Sequence, residues 1–185
     1  MIRKESFLDL PEKSISTNLI QYEKNDMLLL QNLYSNWMNL NEMIKRIGGR
    51  PTMLPPEFVE SLIAYKMNYL RVDDMRLGFD CYDPQSPQGS NRIEIRYGTG
   101  RTDFSTFFHE IKWDRLNFVK FYNESPNDCY FEVYDIDVQM IFDNSEHFSR
   151  QIYDNRGIRQ RISISIIKEL IERGIYRDKQ EFSLF

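Results

Sequence analysis

"GFDCYDPQSPQGSNRIEIRYGTG", residues 78–100, reads as two short extended segments joined by a turn rich in proline and glycine. In the second segment isoleucines alternate with Glu94 and Arg96, so the charged pair shares one face and the apolar pair the other. Asp80 stands on the first segment, 14 residues before Glu94, and a turn of that length brings the two carboxylates opposite each other. Side by side, two carboxylates repel, and neither ionises easily unless a cation lies between them. The hairpin is therefore either a metal site or an ordinary charge pair on a solvated sheet face. Spacing alone does not separate the two.

Around the hairpin the period of two persists. "RLGFDCYD" (76–83), "NRIEIRYG" (91–98), "LNFVKFYN" (116–123) and "CYFEVYDID" (129–137) are rich in aromatic and β-branched residues and predict strands, the last two joined through "ESPND". Upstream the pattern is helical. From Asn18 to Ile47, Leu30, Leu33, Trp37, Leu40, Ile44 and Ile47 recur at spacings of three and four, one continuous stripe that suits a core or a helix pair across a dimer. Gly48 and Gly49 supply its stop. Pro56 opens a second helix to about Leu70, with Phe58, Leu62, Tyr65 and Tyr69 inward and Glu60 off that stripe beside Ala64 and Met67. "ISISIIKELIERG" predicts a last short helix closed by Gly174. Residues 1–17 lack periodicity and are expected to form a loosely held arm, leaving residues 18–185 as a single domain. Helices, a mainly antiparallel sheet and a closing helix predict a mixed α+β (α/β) fold with a central sheet flanked by helices.

The chain of 185 residues is long enough for one core, and its 41% hydrophobic and 28% charged content are those of a soluble protein. No apolar run approaches the roughly 18 residues of a membrane span. With two cysteines, Cys81 and Cys129, and two histidines, His109 and His147, neither a disulfide framework nor a zinc site is expected. These features predict a cytoplasmic protein. A net charge of −4 argues weakly against nucleic acid, but Arg150–Phe185 carries eight Lys/Arg against five Asp/Glu, a local balance of +3.

Over residues 18–175 the motifs fall in a telling order: "GRPTMLPPEFVESLIAY", "FDCYDPQSPQGSNRIEIRYG", "TDFSTFFHEIKWDRLNFVKFY", "FEVYDID" and the basic "GIRQRISISIIKELI". The succession resembles the small type II restriction endonucleases that cut GC-rich sites of the GCNGC kind, with the PD-(D/E)xK nuclease fold. The resemblance implies a restriction-endonuclease-like core and a homodimer cutting double-stranded DNA with Mg²⁺. It implies that Asp80 and Glu94 hold the metal together with the main-chain carbonyl of Ile95. Glu60, on the helix, matches a glutamate that holds a metal-bound water or a second ion. Asp83 rivals Asp80 but sits at the turn beside Pro84, where an aspartate caps its own backbone.

Arg96 departs from the pattern, since the family carries a lysine there. Arginine stays protonated at any working pH, so it orients a water or holds the phosphate but cannot act as a base. Three readings follow: the site works with arginine; a lysine from elsewhere, Lys120 first and Lys112 behind it, reaches in; or the domain has lost catalysis and kept DNA binding. An α+β protein-interaction module is the reading outside the nuclease class. For DNA the resemblance and the preferences of groove readout point to Arg101, Thr102, Ser105 and Lys112, with Arg156, Arg159 and Arg161 as phosphate clamps. Phe107 and Phe108 replace a Phe-Gly-Pro turn of the family and suit core packing, while His109 and His147 suggest no chemistry.

Overall fold

A computed structural model describes residues 1–10, 14–98, 111–144 and 164–185. Among these residues, eight strands form one sheet in chain order: β1 (Ile2–Asp9), β2 (Ser14–Gln21), β3 (Leu70–Val72), β4 (Cys81–Tyr82), β5 (Arg92–Gly98), β6 (Arg115–Ser125), β7 (Asp128–Asp137) and β8 (Asp178–Ser183). Only β5 and β6 run parallel; every other neighbouring pair is antiparallel. Four α-helices are described: α1 (Lys24–Arg46), α2 (Pro56–Met67), α3 (Val138–Asn144) and α4 (Ile164–Glu172). The mixed α+β class expected from the sequence is what forms.

Each face of the sheet carries its own core. On one, Cys81, Ile93, Ile95, Val119, Phe131 and Val133 pack under Leu30 and Tyr34 of α1 and Phe58, Val59, Leu62 and Ile63 of α2. On the other, Leu116, Phe118, Tyr134 and Ile136 pack with Ile141 of α3 and Ile167 and Leu170 of α4. Because β5 alternates, Ile93 and Ile95 anchor it under the first two helices while Glu94 and Arg96 project to the opposite face. The packing that fixes the strand thus aims its charged pair.

Several expectations are corrected. The stretch expected as a loose arm forms β1 and most of β2, an antiparallel ladder running from Ile2↔Gln21 to Asp9↔Ser14. Main-chain hydrogen bonds rather than a buried apolar period hold β1: Phe7 lies almost fully in solvent and Leu8 carries the contact with the core. The first helix begins at Lys24, not Asn18. There the main-chain N–H of Glu23 donates to the Asp26 carboxylate at 2.8 Å, closing the N-terminus.

Its apolar stripe divides. Leu30 is buried and Trp37 and Ile44 half-buried, whereas Leu33, Leu40 and Ile47 are exposed. Steps of three and four allow two neighbouring lines on a helix of 3.6 residues per turn, and only one faces the sheet. Tyr34 and Asn41 complete that buried line, Asn41 accepting the Thr52 N–H at 2.8 Å. "RLGFDCYD" yields a 3-10 turn (Met75–Leu77) and a two-residue strand instead of one long strand. β3 and β8 were not foreseen.

Candidate active site

The site begins with a turn. Gly78 has φ 77°, a left-handed conformation, and a side chain there would press within 3.1 Å of the Lys112 stem. The turn seats Phe79 in the core and carries Asp80 to the mouth of β4. There the Asp80 N–H donates to the Ile93 carbonyl at 2.9 Å and its carbonyl accepts the Val72 N–H at 2.9 Å. Cys81 pairs with Ile93, so Asp80 stands opposite Glu94. The juxtaposition expected from the hairpin is therefore present.

Three oxygen donors meet one cation. The Arg96 guanidinium touches the Glu94 carboxylate, donates to the Ile95 carbonyl at 2.8 Å and lies 3.6 Å from Asp80 Oδ2. The same Oδ2 accepts the Ile95 N–H at 2.8 Å. The Asp80 and Glu94 carboxyls stand close enough to repel, which favours a proton on the pair. Burial, and then the charge of Asp80, push the Glu94 carboxyl up to about 8. Burial also raises Asp80, against the lowering effect of Arg96. Burial and mutual repulsion outweigh the Arg96 charge and favour a proton on the pair.

Glu60 approaches from α2 but is held elsewhere. Arg71 of β3 donates to its carboxylate at 2.9 Å, and both side chains are largely buried. Burial and the nearby Asp80 charge still raise the Glu60 carboxyl. Among the described residues, no set of three or more acidic, histidine or cysteine side chains stands together as a metal site. The convergent set consists of two carboxylates and a carbonyl, with Glu60 one arginine away. It contains oxygen donors alone and already gathers around a positive group, which suits a hard divalent cation.

Asp83 belongs to a different cluster. It accepts the Gln85 N–H at 3.0 Å and the Ser86 hydroxyl at 2.7 Å, capping its turn as its place beside Pro84 suggested. It also binds Arg115, which reaches Asp135 as well, at 2.6 and 2.8 Å. Lys120 is exposed toward the end of β6, on the face that buries Leu116 and Phe118, with its ammonium 4.9 Å from the Tyr122 ring centre. Lys112 lies nearer, alongside Gly78. Arg101, Thr102, Ser105, Phe107, Phe108, His109, His147, Arg156, Arg159 and Arg161 fall outside the described residues.

Arg71 and Arg115 were missed by sequence reasoning. Arg71 meets Glu60 because α2 stops at Met67 and the following Asn68, with its left-handed φ of 57°, turns the chain straight into β3. No short-range spacing announces that pair.

Comparison with known proteins adds one finding. A family model described as Bsp6I restriction endonuclease matches residues 22–173. No curated protein and no solved structure matches the chain.

Proposed function

Given that the chain belongs to the Bsp6I restriction endonuclease family, we propose that it is a homodimeric type II enzyme with a PD-(D/E)xK site that cuts double-stranded DNA at a short GC-rich palindrome with Mg²⁺. The supporting observation is the convergence of the Asp80 and Glu94 carboxylates and the Ile95 carbonyl on one positive group. In this reading those three donors and Glu60 hold the ion. When bound, such an ion supplies Lewis acidity, activating a water and neutralising charge on the scissile phosphate.

Every other part falls to the chain's own side chains. Arg96 leaves the acids and turns its fork of donors to the phosphate, where charge grows as the bond breaks. It takes no proton from water, because a guanidinium does not deprotonate at working pH. Glu60, steadied by Arg71, accepts a hydrogen bond from the attacking water and orients it. Arg101, Thr102, Ser105 and Lys112 contact bases or phosphates, and Arg156, Arg159 and Arg161 clamp the backbone. A GCNGC-like site fits the resemblance, and a palindrome suits a two-fold protein with one site per strand. Such an enzyme works in the cytoplasm.

Incubation of the protein with unmethylated plasmid DNA in Mg²⁺, Ca²⁺ or EDTA tests the proposal. Discrete fragments in Mg²⁺ alone are expected. A gel shift without cutting in any of the three would show a DNA-binding protein without catalysis, and neither cutting nor shift would remove DNA from the account.

A further inference from the structure

The second apolar line of α1 has no covering element among the described residues. Leu29, Leu33, Leu40, Met43 and Ile47 are 47 to 84% exposed, although the same helix buries Leu30 and Tyr34 on its other side. With Asn36 they recur at steps of four, three, four, three and four, the period of a helix seam that meets another helix. At 1.5 Å per residue the seam runs about 27 Å. Monomeric proteins rarely leave so long a contiguous apolar strip in water.

We propose that two copies of this chain join by packing α1 against α1, antiparallel, about a two-fold axis near Asn36–Leu40. Two features of the helix select a second copy as the occupant. The seam is its own complement: an antiparallel copy sets its leucine-rich first half against the partner's Leu40, Met43 and Ile47, and a two-fold contact requires such self-matching. The charges agree in direction. Glu23 at the N-cap and Asp26, which pairs with the chain's own amino terminus, outweigh Lys24 at one end. Lys45, paired with Glu42, and Arg46 stand at the other, so an antiparallel partner brings opposite dipole ends and the acidic and basic ends together. A parallel partner would align like with like. Asn36, near the middle of the seam, lies where a single polar residue fixes register and partner number.

This inference rests on the two-copy reading above, and the test keeps the two apart. Sedimentation velocity from 0.1 to 50 µM measures the wild type, the double variant Leu33→Glu/Leu40→Glu and Asn36→Leu, each checked by circular dichroism. The wild type is expected to be a dimer, the double variant a folded monomer with its dissociation constant raised at least a hundredfold, and Asn36→Leu a tighter dimer. If the double variant failed to fold, Asn36→Leu would decide: association unchanged from the wild type overturns the α1 contact. A wild-type dimer with the folded double variant still dimeric places the interface elsewhere and leaves the two-copy reading standing. A monomeric wild type at 50 µM overturns both.

Discussion

Glu94 and Glu132 make a natural pair for comparison. They stand on the same face of one sheet, on β5 and β7, and are 5% and 8% exposed. Their carboxyls are nevertheless driven in opposite directions. Glu132 receives the Lys179 ammonium at 2.6 Å and the hydroxyls of Tyr122 and Tyr134 at 2.7 Å each, and these donors outweigh burial to bring it down to about 2. Burial first, then the facing Asp80 and the nearby Glu60, push Glu94 up to about 8 despite the Arg96 guanidinium at its carboxylate. Residue exposure alone therefore does not decide a glutamate's state: the deep seat of the Glu94 carboxyl and its acidic neighbour raise it, whereas the donors around Glu132 lower it. Glu132 is surrounded by donors, whereas Glu94 shares the single Arg96 guanidinium with Asp80 and the Ile95 carbonyl. That difference separates a carboxylate satisfied by its donors from one crowded by other acids.

Exchanging each glutamate for its amide should sharpen the contrast. Glu94→Gln and Asp80→Asn are expected to lower the cleavage rate on the order of 10³-fold, since several kcal/mol of transition-state stabilisation is at stake and each 1.36 kcal/mol is tenfold. Glu132→Gln should cut normally once corrected for the folded fraction. Gel assays under single-turnover conditions measure both. Full cutting by Glu94→Gln would erase the distinction.

Arg96 should respond in two directions at once. Its guanidinium competes for the oxygens assigned to the ion, so Arg96→Gln is expected to bind Mn²⁺ about tenfold more tightly in calorimetry without DNA. Cutting by the same variant should fall by about 10²-fold through loss of a phosphate donor. Weaker Mn²⁺ binding would mean that Arg96 props the site open instead of filling it.

Stability against pH separates the pair again, with opposite signs. The Glu132 carboxyl is depressed below its ordinary 4.5, so its contribution is present above that value and lost as the pH falls toward about 2. Glu132→Gln should cost about 2 kcal/mol at pH 7, or several degrees of Tm, and almost nothing at pH 2. The Glu94 carboxyl is raised, so its ionisation weakens the fold as pH climbs from 4.5 through about 8. In EDTA, Glu94→Gln should match the wild type near pH 4 and exceed it by about 1–2 kcal/mol at pH 8. Urea titrations across the range give both curves.

The hairpin's essentials were legible because they are local. Alternation along "RIEIRYG" assigns the faces of Glu94 and Arg96, and "PQSPQGSN" sets the return that brings Asp80 opposite. The later strands were equally plain, since aromatic and β-branched residues fill β6 and β7. What escaped was long-range or ambiguous. β1 is held mainly by its ladder, with Leu8 its one buried apolar side chain among those described, so "IRKESFLD" shows no apolar period to find. The polar edge strand "DKQEFS" hides for the same reason. Steps of three and four merged two faces of α1 into one stripe. Glu132 looked like any strand glutamate, because the Lys179 that completes it arrives from β8, 47 residues later.

The smallest expected effect concerns Lys120. Lys120 neighbours Gly98 in register, whereas Glu94 neighbours Leu116, four residues back and about 13 Å along the strand. Its ammonium rests over Tyr122, a further step away from the acids. To serve the site it would have to leave that ring and fold back past Phe118, which is buried between them. Lys120→Met should therefore change the single-turnover cleavage rate by less than about threefold, because the exchange keeps the stem and removes a charge worth little at an exposed ring. A drop of a hundredfold would place Lys120 over the phosphate in the DNA complex. The contrast with Glu132 would then extend to a strand rebuilt on binding, since Lys120 and Glu132 are paired neighbours.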